Sequence, residues 1–174
     1  DHRDLHSFPT RRSSDLVAEA QKKYTFDEAR DLTVAAYRNY DPQFGDIIQA
    51  FFDERRVDVL PRQGKSGGAF AMGISPVDPP FLLLNFTNNL RDIATIAHEA
   101  GHGLHFVLAQ KQNSLNYHAP LPLAETASVF GEMLLTRMLL DQEQDVEVRK
   151  SLLCAKIEDI IATTFRQTVL TRFE

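Results

Sequence analysis

His98-Glu99-Ala100-Gly101-His102 decides how this chain is read. Histidines four apart on a helix come round to nearly the same face at 3.6 residues per turn, so both imidazoles can close on one metal ion. Glu99 projects beside them, within reach of a proton on a metal-bound water. This is the H-E-x-x-H arrangement of zinc peptidases, and the chemistry explains the spacing. The segment around it reads as one helix, with Asn88 or Asn89 as N-cap and an end near Lys111. Asp92 adds a favourable negative charge in its first turn.

A catalytic zinc takes three protein ligands and keeps a fourth position for water. His98 and His102 supply two, and His105, His118, Glu125 and Glu132 are the candidates for the third. His105 stands one turn beyond His102 on the same straight helix, which suits a supporting or packing role better than a shared tetrahedral centre. His118 lies in a proline-flanked loop, where a lone histidine is usually just solvated. Glu125 is the better candidate, because it opens the next helix and a loop of about a dozen residues can fold that helix back across the motif. The small residues Ala100, Gly101 and Gly103 would admit a second backbone at close range. Glycine inside a helix costs about 1 kcal/mol relative to alanine, so such a pair calls for a local reason. Glu132, two turns after Glu125 on the same face, suits a carboxylate that accepts the free ring N–H of a ligating histidine, though a solvated surface carboxylate is an equal reading.

Outward from the motif, Thr25 and Glu28 form a capping box that opens a helix running to about Asn39. Asp41-Pro42 restarts a helix to about Arg56, with Phe44, Ile47, Ile48, Phe51 and Phe52 along one stripe. Pro61 and Gln63–Gly68 break the pattern into a flexible loop. Its Gly64-Lys65-Ser66 triplet is no phosphate loop: Val59 stands where the first glycine is required, and strand rather than helix follows. Ala69–Ile74 and Phe81–Phe86 read as strands, the second starting at a sheet edge after Pro79-Pro80. Phe81–Asn85 could then present an edge to an extended peptide, held through its backbone. After a loop over Gln112–Pro122, two helices close the chain at about Leu123–Leu140 and Val146–Phe173.

Composition narrows the function classes. The 174 residues are 43% apolar and 25% charged, as in an ordinary globular protein with room for a core. A net charge of -5 offers no basic surface for nucleic acid or acidic membrane. No apolar run approaches the ~20 residues that span a bilayer. Cys154 is the only cysteine, so an internal disulfide and a cysteine-rich zinc site are both ruled out. Residues 1–16 include His6–Leu16, a string that resembles the translation of a common sequencing adapter. They are set aside as a non-native segment, with a natural polar tail as the alternative. Residues 17–174 are then the metallopeptidase domain, in part.

Four blocks carry a family resemblance: Gly64–Phe70, Pro80–Thr87, His98–His105 and Leu123–Met133. In order and spacing they resemble the thimet oligopeptidase and oligoendopeptidase F family of zinc peptidases, oligoendopeptidase F more closely. The resemblance implies His98, His102 and Glu125 as ligands of one Zn2+ per site and Glu99 as general base and acid. Glu132 is the implied supporting carboxylate. Gly68, Ala69, Leu84 and Asn85 fall in the blocks expected to meet substrate. The implied fold is mainly α with a small β-sheet, an incomplete zincin-like (gluzincin) core beside a channel that admits short unstructured peptides. Cytoplasmic residence is an expectation from the family and the lack of disulfides. Family members also carry a later His- and Tyr-rich segment that stabilises the oxyanion, and these 174 residues hold none. The expectation is that this stretch alone is nearly inactive.

Two other readings stand beside this one. A different H-E-x-x-H peptidase, such as a metallocarboxypeptidase or a thermolysin-like protein, shares the pentapeptide; the metzincins do not fit, since Leu108 stands at their third-ligand position. A non-catalytic helical binding domain would leave Glu125 facing solvent and bind no stoichiometric zinc.

Overall fold

A computed structural model describes residues 23–173; the adapter-like segment 1–16 lies outside them. The chain divides into two units, Lys22–Asp141 and a second that includes Gln142–Glu174. The first holds nearly all the described elements and the whole of the motif.

Local chemistry sets its helices. α1 (Phe26–Tyr40) opens on the Thr25–Glu28 capping box, in which the Glu28 amide donates to Thr25 Oγ1 at 3.2 Å and the Thr25 amide to Glu28 Oε2 at 2.7 Å. Asp41 ends α1 and caps α2 (Pro42–Asp53), accepting the Gln43 amide at 2.8 Å, with Pro42 placed where its missing N–H costs nothing. α2 stops at Asp53, short of the Arg56 expected. Arg55 takes a positive φ of 57°, and the chain turns into a two-residue strand, β1 (Val57–Asp58), that was not anticipated.

β2 (Phe70–Met72) and β3 (Phe81–Leu83) fall inside the expected runs. The sheet order is β1-β3-β2, with β3 parallel to β1 and antiparallel to β2. This corrects the expectation that Phe81–Asn85 is an edge: β3 is the central strand. The amides of Leu82 and Leu84 donate to Arg56 O and Asp58 O at 2.9 and 2.8 Å, so that side of β3 is already paired with β1. The exposed edge of the sheet nearest the motif therefore belongs to β2.

α3 (Leu90–Ala109) starts at Asn89, in a capping box with Asp92. Asp92 Oδ2 also accepts from the Thr87 amide and hydroxyl at 2.6 and 2.9 Å, which fixes the turn between β3 and α3. The core lies between these elements. Leu84 and Phe86 pack with Ile93, Ile96 and Ala97 of α3 and with Ala29 and Ala36 of α1; Val34, Tyr37, Ile48, Ala100 and Leu104 form an adjoining cluster. Each large aliphatic side chain so buried contributes about 1.5–3 kcal/mol. One flank of the motif helix is thereby fixed in the core.

α4 (Leu121–Gln142) begins two residues before the Leu123 expected, because Pro122 falls in its first turn, where proline is tolerated. Leu135 and Met138 of α4 join the first cluster. In the second unit α5 (Val146–Phe173) forms over the expected residues, and none of its described residues is buried. Among the described residues no helix is long and apolar enough to cross a membrane.

Candidate metal centre

α3 and α4 meet at glycine. A Cβ on Gly101 would strike the Ala127 carbonyl oxygen and lie 2.8 Å from Ser128 Cα; one on Gly131 would strike the Tyr37 hydroxyl and lie 2.5 Å from Ala97 O. The close approach expected from Gly101 is thus made by the backbone of α4. Gly103 serves differently, facing the side chains of Phe51 and Leu82. Tyr37 of α1 donates to Ala97 O at 2.7 Å and pins the turn of α3 just before His98.

This seam sets the carboxylates of α4 opposite the histidines of α3. Glu125 Oε2 lies 3.5 Å from His98 Nε2 and 3.7 Å from His102 Nε2, and one ligand atom from each residue falls within 4.8 Å of the others. Zinc bonds of about 2.0–2.2 Å at tetrahedral angles place neighbouring donors about 3.4 Å apart. Two imidazole nitrogens and a carboxylate oxygen at this spacing fit that ion, with Nε2 of both rings facing the shared point.

The second nitrogen of the His98 ring is held too. Glu132 Oε1 lies 2.6 Å from His98 Nδ1, and a ring N–H of His102 bonds the Ala124 backbone. A carboxylate or carbonyl on the far nitrogen fixes tautomer and ring orientation. Burial opposes protonation of both rings. In His98 the Glu132 bond and the nearby carboxylates outweigh it and the pKa rises, whereas in His102 burial prevails and the pKa falls. His105 stands outside the trio, close enough for its charge to act on His102, and His118 is exposed, edge-on to Phe106 and Tyr117.

Glu99 is buried, 6% exposed, and burial pushes its carboxyl up to about 7 against the opposing pull of His98. It also accepts a hydrogen bond from the backbone of Ala71. Leu82 and Leu84 donate toward β1, so the amides of Phe81 and Leu83 face β2. By antiparallel alternation the Ala71 amide then points out from β2's free edge, where Glu99 meets it. No sequence pattern announced that amide.

The expected substrate residues separate. Exposed Gly68, at φ 78°, and half-buried Ala69 lead into β2 and its free edge. Asn85 ties that approach down: its amide donates to Ser66 O at 2.9 Å and Gly68 O at 2.7 Å. Leu84 is corrected to a packing residue, 1% exposed within the core cluster. Ser128 was missed altogether, although its place three residues after Glu125 on one helix turn could have signalled it.

A His-Glu-x-x-His helix crossed by a glutamate-bearing helix, beside a small mixed sheet, is a zincin-like core. The chain belongs to Peptidase family M3, whose sequence model matches residues 15–174. It is 32% identical to oligopeptidase PepF of Bacillus subtilis over 91% of this chain and 24% of that one. It is 34% identical to an oligoendopeptidase F homolog of Borreliella burgdorferi over 87% of this chain and 26% of the relative. A crystal structure of a candidate peptidase from Chlamydophila abortus superposes with a TM-score of 0.79 at 34% identity, covering 88% of this chain and 26% of that one. The chain thus spans about a quarter of the length of these relatives.

Proposed function

We propose that this chain carries the metal-binding part of a zinc endopeptidase that hydrolyses internal bonds of short unstructured oligopeptides in the cytoplasm. The observation that carries the reading is the convergence of Glu125 Oε2 on His98 Nε2 and His102 Nε2, at 3.5 and 3.7 Å. Family membership and the oligopeptidase names of the relatives supply the substrate class. When bound, zinc would polarise the scissile carbonyl and lower the pKa of a water.

The chain's own residues do the rest. His98, His102 and Glu125 would hold the ion. Glu99, whose carboxyl titrates near neutrality by reason of its burial, takes a proton from the attacking water and passes it to the leaving amine. β2's free edge gives an extended peptide backbone partners beside Glu99, reading little of its sequence. Gly68 and Ala69 bring the chain to that edge, and Asn85 holds their loop.

Zinc titration of the chain tests the site. One ion per chain is expected, lost in His98→Ala or His102→Ala, held far more weakly in Glu125→Ala, and kept in Glu99→Gln. In the full-length enzyme Glu99→Gln should reduce turnover by ~100-fold or more. A chain that binds no zinc, or a Glu99→Gln enzyme that turns over normally, would overturn the reading.

A further inference from the structure

Glu125 is the most exposed member of the trio, with 47% of its side chain accessible against 27% for His98 and 16% for His102. A glutamate free to turn gives up to ~2 kcal/mol of rotamer freedom when one geometry is imposed on it. Its orientation needs a restraint, and α4 provides one. Ser128 Oγ stands 2.9 Å from Glu125 Oε2 and 2.9 Å from Glu125 O, and Ser128 is fully buried. The hydroxyl has one hydrogen for two acceptors. The carboxylate oxygen is charged and the better acceptor, while the carbonyl already sits in the helix ladder. Oε2, the oxygen so bonded, is also the one that faces both histidine Nε2 atoms.

We infer that Ser128 is a positioning residue of the metal centre: its hydroxyl holds Glu125 Oε2 on the histidine side and so tightens the grip on zinc. The inference rests on the zinc reading above. Packing explains only part of what is seen at this position. A Cβ on Gly101 would lie 2.8 Å from Ser128 Cα, so the seam demands a small residue there. Alanine meets that demand as well as serine does, so packing alone does not call for the hydroxyl, which reaches the carboxylate as well as the carbonyl of Glu125.

The difference is measurable on the full 174-residue chain by competition for Zn2+ with a chromophoric chelator. Ser128→Ala should weaken zinc binding about 10-fold, at the lower end of what losing such a supporting partner costs. The metal-free melting temperature should not move. In a Glu125→Ala background, Ser128→Ala should change zinc affinity no further, because the residue through which it acts is gone. Unchanged affinity in the single variant, or equal weakening in both backgrounds, overturns the assignment and returns Ser128 to packing. An unsubstituted chain that binds no zinc removes the zinc reading itself, and this inference with it, so the two failures are told apart.

Discussion

His98 Nδ1 and Glu132 Oε1 stand 2.6 Å apart and join α3 to α4 across 34 residues of sequence. With Nδ1 so engaged, Nε2 is the nitrogen left to face Glu125 Oε2 at 3.5 Å. One carboxylate sets the tautomer and the other would share a bound ion, both from the same face of α4.

Glu132→Ala should therefore weaken zinc binding by ~10- to 100-fold while leaving one ion per chain. Glu132→Gln keeps an acceptor on His98 but removes the charge, and should fall between alanine and glutamate. Chelator competition measures all three. Equal affinities would show that the ring holds its orientation without help from α4.

The α3–α4 seam predicts stability. Gly→Ala within a helix normally gains about 1 kcal/mol. At Gly131 the added methyl meets the Tyr37 hydroxyl and Ala97 O, and at Gly101 the Ala127 carbonyl. Overpacking costs typically 1–3 kcal/mol, and backbone atoms cannot step aside as a flexible side chain can. Gly101→Ala and Gly131→Ala should each destabilise the chain by about 1 kcal/mol or more in urea unfolding. Gly101→Ala should also cost zinc affinity, since it pushes Glu125 away from His98. A stabilised variant at either position would mean that the helices sit further apart than described.

What was legible in the sequence follows from what local chemistry controls. Thr25, Asp41-Pro42 and Asn89 place the helix starts because capping satisfies amides within a few residues. The pentapeptide offered two candidate ligands because both lie on one helix. Glu125 needed the tertiary argument that α4 folds back, and the family resemblance strengthened it. β1 was not legible: Val57-Asp58 is a strand only because β3 lies alongside, and two residues carry no periodicity. The same partner explains the misplaced edge. Pro79-Pro80 reads as an edge signal, yet both prolines precede the first paired residue of β3, where they interrupt no ladder. The Ala71 amide at Glu99 is backbone chemistry, which side-chain identity does not reveal.

Lys65, part of the false phosphate loop, is a clamp. Its ammonium is bonded to Asp58 Oδ1, Asp58 O and Leu60 O at 3.0, 3.1 and 3.0 Å, and its side chain is 2% exposed. The Arg62 hydrogen bond, followed by that of Lys65, holds the Asp58 carboxyl down to about 2. An unfolded aspartate titrates near ~3.9, so between about pH 4 and pH 2 the unfolded chain binds more protons and stability falls as pH falls. Above pH 4 the contribution is fully present. Asp58→Asn should flatten that part of the acid-unfolding curve, and Lys65→Met should lower stability across it. An unchanged acid limb in Asp58→Asn would show that the pairing is too well solvated to matter.

Asn85 predicts a separation between metal and substrate. Its two amide hydrogens reach Ser66 O and Gly68 O, carbonyls of the loop that leads through Ala69 into β2. Hydrogen bonds of this kind contribute about 0.5–1.5 kcal/mol each, enough to bias a short glycine loop without deciding the fold. Asn85→Ala should leave zinc affinity within twofold, because no ligand moves, and should speed amide hydrogen exchange at Gly67–Ala71. In the full-length enzyme the same loosening should raise KM for a short peptide more than it lowers kcat, since the edge of β2 must be ordered before a backbone can pair with it. Asn85→Asp should be worse than alanine, because it turns a carboxylate oxygen toward two carbonyls that need donors. An alanine variant with unaltered exchange and KM, or an aspartate variant milder than alanine, would show that the loop is held by its own turns and not by Asn85.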